Sequence, residues 1–292
     1  MTAEKKSQGY QTWQLYTPAK AIEDMDRGGV ATSLLSVTTP GIWFGDKQET
    51  RRLARELNEY GARLVSDYKG RFGLFAVLPL PEVDASLREI EYAFDTLKAD
   101  GVGLLSSYDN RWYGDPEFGA VFAELNRRGA VVYTHASAPP CCRNLQPNIP
   151  ETTIEYNTDT SRTIISLIES GRATACPDIH FIFSHAGGTL PSLAGRFLGP
   201  AASRDSLART AEPNSKLYHL RRFYYDTAGS ANPVQMVSLK MIVPATQIVF
   251  GTDFPFGRSA ATAQGLQDCG FTQEELRGID RDNALRILPK YI

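Results

Sequence analysis

The chain has 292 residues, 42% of them hydrophobic, and 31 Lys and Arg against 33 Asp and Glu leave a formal net charge of −2. This is the make-up of a globular protein with ample core material, and it gives no electrostatic case for a nucleic-acid partner. No run approaches the ~18 apolar residues of a membrane span, and MTAEKKSQGYQTWQ has no apolar stretch after its lysines to make a signal peptide.

In chain order, GYQTWQLYTPAKAIEDMDRGG reads as an extended or turn segment followed by a helix, Pro18–Arg27. Short apolar strands are expected at Ala31–Val37, Phe72–Leu78, Val102–Leu105, Ala130–Thr134, His180–Ser184, Phe223–Asp226 and Gln247–Phe250. They read as near-continuous apolar runs, the signature of parallel strands covered on both faces. Between them lie helical stretches at Lys47–Tyr68, Val83–Lys98, Phe118–Arg128, Thr158–Ser170 and Pro233–Ile242. In the second of these, Leu87, Ile90, Phe94 and Leu97 recur every three or four residues and give one buried face. DRDNALRIL is expected to form a last helix, capped near Asp280 or Asp282. Seven strands in βα order are too many for a usual open doubly wound sheet and one short of a closed barrel. No G-x-G-x-x-G follows the first strand. The expected fold is therefore α/β, a single domain over residues 1–292, built as a (β/α)8 TIM barrel that lacks or replaces its first strand.

In a barrel the chemistry sits at the C-terminal ends of the strands. AVVYT runs into His135, HFIFS into His185 of SHAGG, and the last strand leads to Asp253 of GTDFPF. Only four histidines occur. His180 opens its strand at the opposite rim, and His219 lies before one. Two imidazoles and a carboxylate at one mouth suit a borderline divalent ion such as zinc. A carboxylate set among Phe254, Pro255 and Phe256 is costly to desolvate unless something compensates its charge. Trp43, Tyr108, Trp112, Phe254 and Phe256 follow strands and either floor a pocket for a flat ring or pack between barrel and loops. Asp226 ends a strand as a mouth hydrogen-bonder or a structural group. Gly187-Gly188 permits close backbone approach, and Arg196 either meets a carboxylate or is solvated. Cys141, Cys142, Cys176 and Cys269 fit neither a disulfide framework nor a zinc spacing; Cys141-Cys142 read as ordinary loop cysteines of a cytoplasmic protein.

VVYTHASAPP, FIFSHAGGTLPSLAGRF, IVFGTDFPF and DNALRIL together resemble the amidohydrolase superfamily. More narrowly they are similar to the branch holding aminocarboxymuconate-semialdehyde decarboxylase and the hydroxybenzoate decarboxylases. LLSVTTPGIWFGD and YDNRWYGDPEFGAVFAELNRRGAVV look closest to its 6-methylsalicylate decarboxylase-like members. The resemblance covers about residues 16–288. It implies His135 and Asp253 as metal ligands, His185 and Asp253 as catalytic residues, and Trp43, Tyr108, Trp112, Arg196 and Phe254 as candidate substrate contacts. It also implies a divalent metal, zinc or else manganese, with no organic cofactor, and a homodimer. The implied reaction is non-oxidative decarboxylation of a small aromatic acid of the 2-hydroxybenzoate kind. A hydrolase or hydratase on the same scaffold is the alternative.

The sequence departs from the pattern at one point. The branch places an H-x-H or E-x-H pair on its first strand, and this chain has no histidine before His135. Three explanations stand, in this order: a start that omits the pair, a complete but degenerate chain that works without a tightly bound metal, or a substitute strand in GYQTWQLY with Tyr10, Thr12, Gln14 and Tyr16 on one face. A degenerate barrel without catalysis is the further alternative for function.

Overall fold

A computed structural model describes residues 16–291 of the chain. The substitute strand proposed for GYQTWQLY falls almost wholly outside them. Seven parallel strands follow one another in space as in sequence. They are β1 (Ser33–Leu35), β2 (Phe72–Val77), β3 (Gly101–Leu105), β4 (Val131–His135), β5 (His180–Phe183), β6 (Tyr224–Asp226) and β7 (Ile248–Val249). Each expected strand is present and several are shorter, β7 being only two residues long.

Alternation along the strands divides the core in two. Phe75, Val131, Ile182, Tyr224 and Val249 meet on the inner face with Leu34, Tyr133, Ile287 and Leu288. Their neighbours Val102, Leu104, Val132, Phe181, Phe183, Tyr225 and Ile248 face the surrounding helices in a larger cluster. Because the side-chain period of a strand is two, the inward set Val131–Tyr133 carries His135 inward as well. Tyr224 does the same for Asp226. Phe75 and Tyr133 stack inside at 5.6 Å between ring centroids.

The expected helices are present, three of them altered, and Ser259–Gln267 forms a helix that was not among them. The helix expected from Val83 ends as α-helix at Glu91 and continues as a π-turn over Tyr92–Thr96, where Leu97 N–H reaches Tyr92 O. The helix expected from Thr158 starts at Glu151. Apolar periodicity missed its first turns because they are largely exposed and because Asp159, Thr160, Ser161 and Thr163 form much of its buried face. The last helix is capped at neither Asp280 nor Asp282. It begins at Gln273 behind a capping box of Thr272 and Glu275, and both aspartates lie within the π-turn Gly278–Asp282 that follows. That turn and the residue after it hold β7 in place: Asn283 Nδ2 donates to Ile248 O at 2.7 Å and Ala245 O at 2.9 Å.

Among the described residues β1 and β7 each have one strand neighbour. The flanking helices meet across the remaining gap. Helix α1 (Pro18–Gly28) packs on helix α2 (Ser259–Gln267) so closely that a Cβ at Gly28 would lie 2.3 Å from Ser259 Cβ. Asp24, buried on α1, accepts from the Ser259 N–H at 2.9 Å and its hydroxyl at 2.7 Å. One carboxylate thus satisfies an orphan N–H at the start of α2. Asp24→Ala is expected to lower stability by about 1–3 kcal/mol. A shift of the urea unfolding midpoint, with unchanged slope, checks it.

Candidate active site

The ends of β4, β5 and β7 bring together His135, His185 and Asp253, with one ligating atom from each within 4.8 Å of the others. His135 is buried and Asp253 partly so. The two imidazoles meet edge to face, centroids 5.9 Å apart.

Hydrogen bonds define the ring tautomers. His135 Nδ1 lies 2.7 Å from Ala136 O, and His185 Nδ1 lies 2.8 Å from Ala228 O. A carbonyl only accepts, so each Nδ1 carries a proton, and in the neutral ring each Nε2 presents a lone pair. His135 Nε2 receives the Thr38 hydroxyl at 2.9 Å and stands 3.5 Å from Asp253 Oδ1. In that form a lone pair faces a carboxylate oxygen, a repulsion that a proton or a metal cation between them relieves. Two imidazole nitrogens and one carboxylate are also the donor set of a catalytic divalent site, which keeps a position open for substrate. The residues present therefore fit a divalent metal.

The backbone that aims these groups adopts unusual conformations. His185, Ala186 and Asp253 have φ of 55°, 57° and 58°, in the left-handed region uncommon for non-glycine residues. The turn after β5 is wedged against the helix Glu151–Glu169, where a Cβ on Gly188 (φ +68) would fall 2.0 Å from Asn157 O. Gly188 thus serves close approach to a helix backbone. Asp253 is held by its own carbonyl, which accepts from Phe256 N–H at 2.8 Å and Gly257 N–H at 3.2 Å.

Asp226 fixes His185. Its Oδ1 accepts the His185 backbone N–H at 2.7 Å and the Ala228 N–H at 3.1 Å, and its Oδ2 accepts the Tyr133 hydroxyl at 3.1 Å. Ala228 in turn presents the carbonyl that orients the His185 ring. Burial raises the Asp226 carboxyl above its ordinary range against the opposing pull of His185 and these hydrogen bonds. Burial also pushes the Tyr133 phenol well up, reinforced by the charge of Asp226.

The expected ring contacts are more scattered. Trp43 Nε1–H donates to Asp109 Oδ2 at 2.8 Å, and its ring lines an outer cleft of about 570 Å³ with Lys47, Arg51 and Arg88. None of the three mouth residues lines that cleft. Tyr108 is buried in the outer core against Phe118, its oxygen accepting the Leu105 N–H. Trp112 donates to Asp159, a fully buried carboxylate that also accepts from Ser106 and Ser107. Arg196 is exposed on its helix. Phe254 is half-buried beside Tyr16 at 6.2 Å, under the Arg258 guanidinium. Tyr108 and Trp112 are thus engaged in packing and buried hydrogen bonds, and Trp43 faces outward. His180 is exposed at the opposite rim, and His219 is buried with Nε2 3.0 Å from the Thr174 hydroxyl.

Sequence reasoning missed Thr38 and Tyr133 and left the role of Asp226 open. Strand periodicity was the available signal for Tyr133, two residues before His135. Thr38 follows a short first strand and carries no such signal.

A parallel β/α sheet with an imidazole and carboxylate cluster at its C-terminal rim is a barrel-like arrangement able to hold a divalent metal. The chain belongs to the amidohydrolase family, whose sequence pattern matches residues 11–290. It is 34% identical over 299 residues to the decarboxylase yanB of Aspergillus niger, covering 96% of this chain and 81% of that one. It is also 34% identical to the 6-methylsalicylic acid decarboxylase of Penicillium expansum, over 89% of this chain and 82% of that one. A dihydroxybenzoic acid decarboxylase of Polaromonas sp. JS666, solved with manganese and 2-nitroresorcinol, matches in fold with a TM-score of 0.82. It is 22% identical, over 94% of this chain and 86% of that one.

Asp226→Ala is expected to weaken divalent-ion affinity about 10- to 100-fold, the usual loss when a group orienting a ligand is removed. Asp226→Asn keeps an oxygen for both N–H groups and should lose less. Titration calorimetry with zinc or manganese on the two variants checks this.

Proposed function

We propose that this protein is a metal-dependent, non-oxidative decarboxylase of a small aromatic acid of the 2-hydroxybenzoate kind, with 6-methylsalicylate as the leading substrate. The observation that carries the proposal is the meeting of His135, His185 and Asp253 within 4.8 Å, in a chain about one-third identical to a 6-methylsalicylic acid decarboxylase over most of both lengths.

His135 and Asp253 would hold the divalent ion, with His185 beside them. When bound, the ion supplies the positive charge that holds the substrate's carboxylate and adjacent hydroxyl. Asp253 then serves as the acid: a proton passes from its carboxyl to the ring carbon bearing the carboxylate. The carbon–carbon bond breaks, CO₂ leaves, and the electron pair returns to the ring. His185, with Nδ1–H fixed on Ala228 O, keeps its Nε2 directed into the mouth to orient the substrate and relay the proton. Phe254, next in sequence to Asp253, would reduce water access, which strengthens the electrostatics of the site. The same proposal takes zinc as the metal, with manganese as the alternative. It also takes the chain as one barrel domain and its assembly as a cytoplasmic homodimer.

Incubation with 6-methylsalicylate and added zinc or manganese is expected to release one CO₂ per substrate consumed. His135→Ala and Asp253→Asn should each lower turnover about 100-fold or more, the scale of a lost acid or ligand. Consumption of a lactone or amide without CO₂ would place the chain among hydrolases instead. Turnover untouched by both substitutions would remove the chemistry from this site. Dialysis against a chelator should abolish activity and readdition of metal restore it; elemental analysis of protein purified without chelator identifies the ion.

A further inference from the structure

Of the four cysteines, Cys176 and Cys269 are buried, whereas Cys141 is exposed and Cys142 partly so. The two accessible thiols are adjacent in sequence, and their sulfurs lie 2.8 Å apart. They occupy the loop that leaves β4 six residues after His135, within a single 3-10 turn, Pro140–Cys142.

This turn is fastened on several sides. The Cys141 N–H donates to Asn110 Oδ1 at 2.9 Å, the Cys142 N–H to Pro139 O at 2.9 Å, and Arg143 Nε to Ala138 O at 3.1 Å. Asn110 and its neighbour Asp109 both have positive φ, and Asp109 holds Trp43. Upstream, the Ser137 N–H donates to the buried Ser106 hydroxyl at 3.0 Å. The turn is thereby tied to two other loops at the C-terminal rim of the sheet. Two thiols, one exposed and one partly so, with sulfurs held in contact need little movement to join. Adjacent residues also have Cα atoms only about 3.8 Å apart. That is less than the roughly 4.4–6.8 Å an ordinary disulfide spans, so a bond here is strained and readily reduced. Strained, exposed disulfides are the labile and regulatory ones.

We propose that Cys141 and Cys142 form a reversible thiol–disulfide switch on the mouth loop, closed by a peroxide. In the first step one thiolate attacks hydrogen peroxide: an S–O bond forms, the O–O bond breaks, and hydroxide leaves to become water on taking up a proton. The result is a sulfenic acid. The neighbouring sulfur then attacks it, the S–S bond forms, the S–O bond breaks, and a second water leaves. Together the two thiols lose two electrons and two protons, and one peroxide becomes two waters. The eight-membered ring so formed replaces the 3-10 turn and alters the loop between His135 and Arg143. The switch does not depend on the decarboxylase assignment.

The test uses the full-length, reduced protein treated with one equivalent of hydrogen peroxide. Intact mass should fall by two hydrogens, native thiol titration should drop from two groups to none, and peptide mapping should place the link between Cys141 and Cys142. Dithiothreitol should reverse all three changes. Amide hydrogen exchange over residues 136–143 should differ between the two forms. Cys141→Ser and Cys142→Ser should each abolish the two-hydrogen loss, while Cys176→Ser and Cys269→Ser leave it intact. Covalent dimers on a non-reducing gel, stable sulfinic acid in place of the link, or a two-hydrogen loss that persists in Cys141→Ser would overturn the proposal. An unchanged mass after peroxide would do the same.

Discussion

The mouth of this barrel depends on one buried carboxylate. Asp226 is buried, and three donors satisfy it: two backbone N–H groups and the phenol of Tyr133. A buried carboxylate demands such partners, so the demand shapes the turn around it. His185 is held at a positive φ that its side chain would not choose unaided, and the Ala228 carbonyl is turned onto its ring. The tautomer of His185, and hence the lone pair it offers beside His135 and Asp253, follows from how Asp226 is satisfied. The geometry of the cluster thus rests on a residue outside it.

Much of this was legible in the sequence because it is carried by short-range order. The seven apolar runs gave the strands and their parallel arrangement, since only strands buried on both faces lack alternation in polarity. His135, His185 and Asp253 were recognisable from their position at strand ends, where the barrel alone converts distant sequence positions into neighbours. The motifs SHAGG and GTDFPF added family identity to that placement. The opposite-rim position of His180 was equally readable, because it opens its strand.

What was not legible lies in loops and in polar packing. Trp43, Tyr108 and Trp112 all follow strands, yet the hydrogen bonds that place them come from Asp109, the Leu105 N–H and Asp159. These partners lie up to 66 residues away, and no periodicity connects them. The first turns of the helix from Glu151 were hidden for a related reason. Much of its buried face is made of Asp, Thr and Ser, which satisfy one another and the adjoining loops, so no apolar stripe marks it. The cap of the last helix was misplaced because Asp280 and Asp282 look like caps, while Thr272 and Glu275 form the actual one.

The contact between Asp24 and Ser259 spans 235 positions of the chain. During synthesis the N-terminal helix leaves the ribosome long before its partner exists. At about 5–20 residues per second it waits some tens of seconds for that partner. Through that interval the strand preceding the future gap has an exposed edge and the mouth has no Asp253. The nascent chain therefore holds His135 and His185 before it has the carboxylate that completes the cluster. Site assembly becomes one of the last events of folding, and a helper that shields the open edge during this wait would act on yield while leaving the finished protein unchanged.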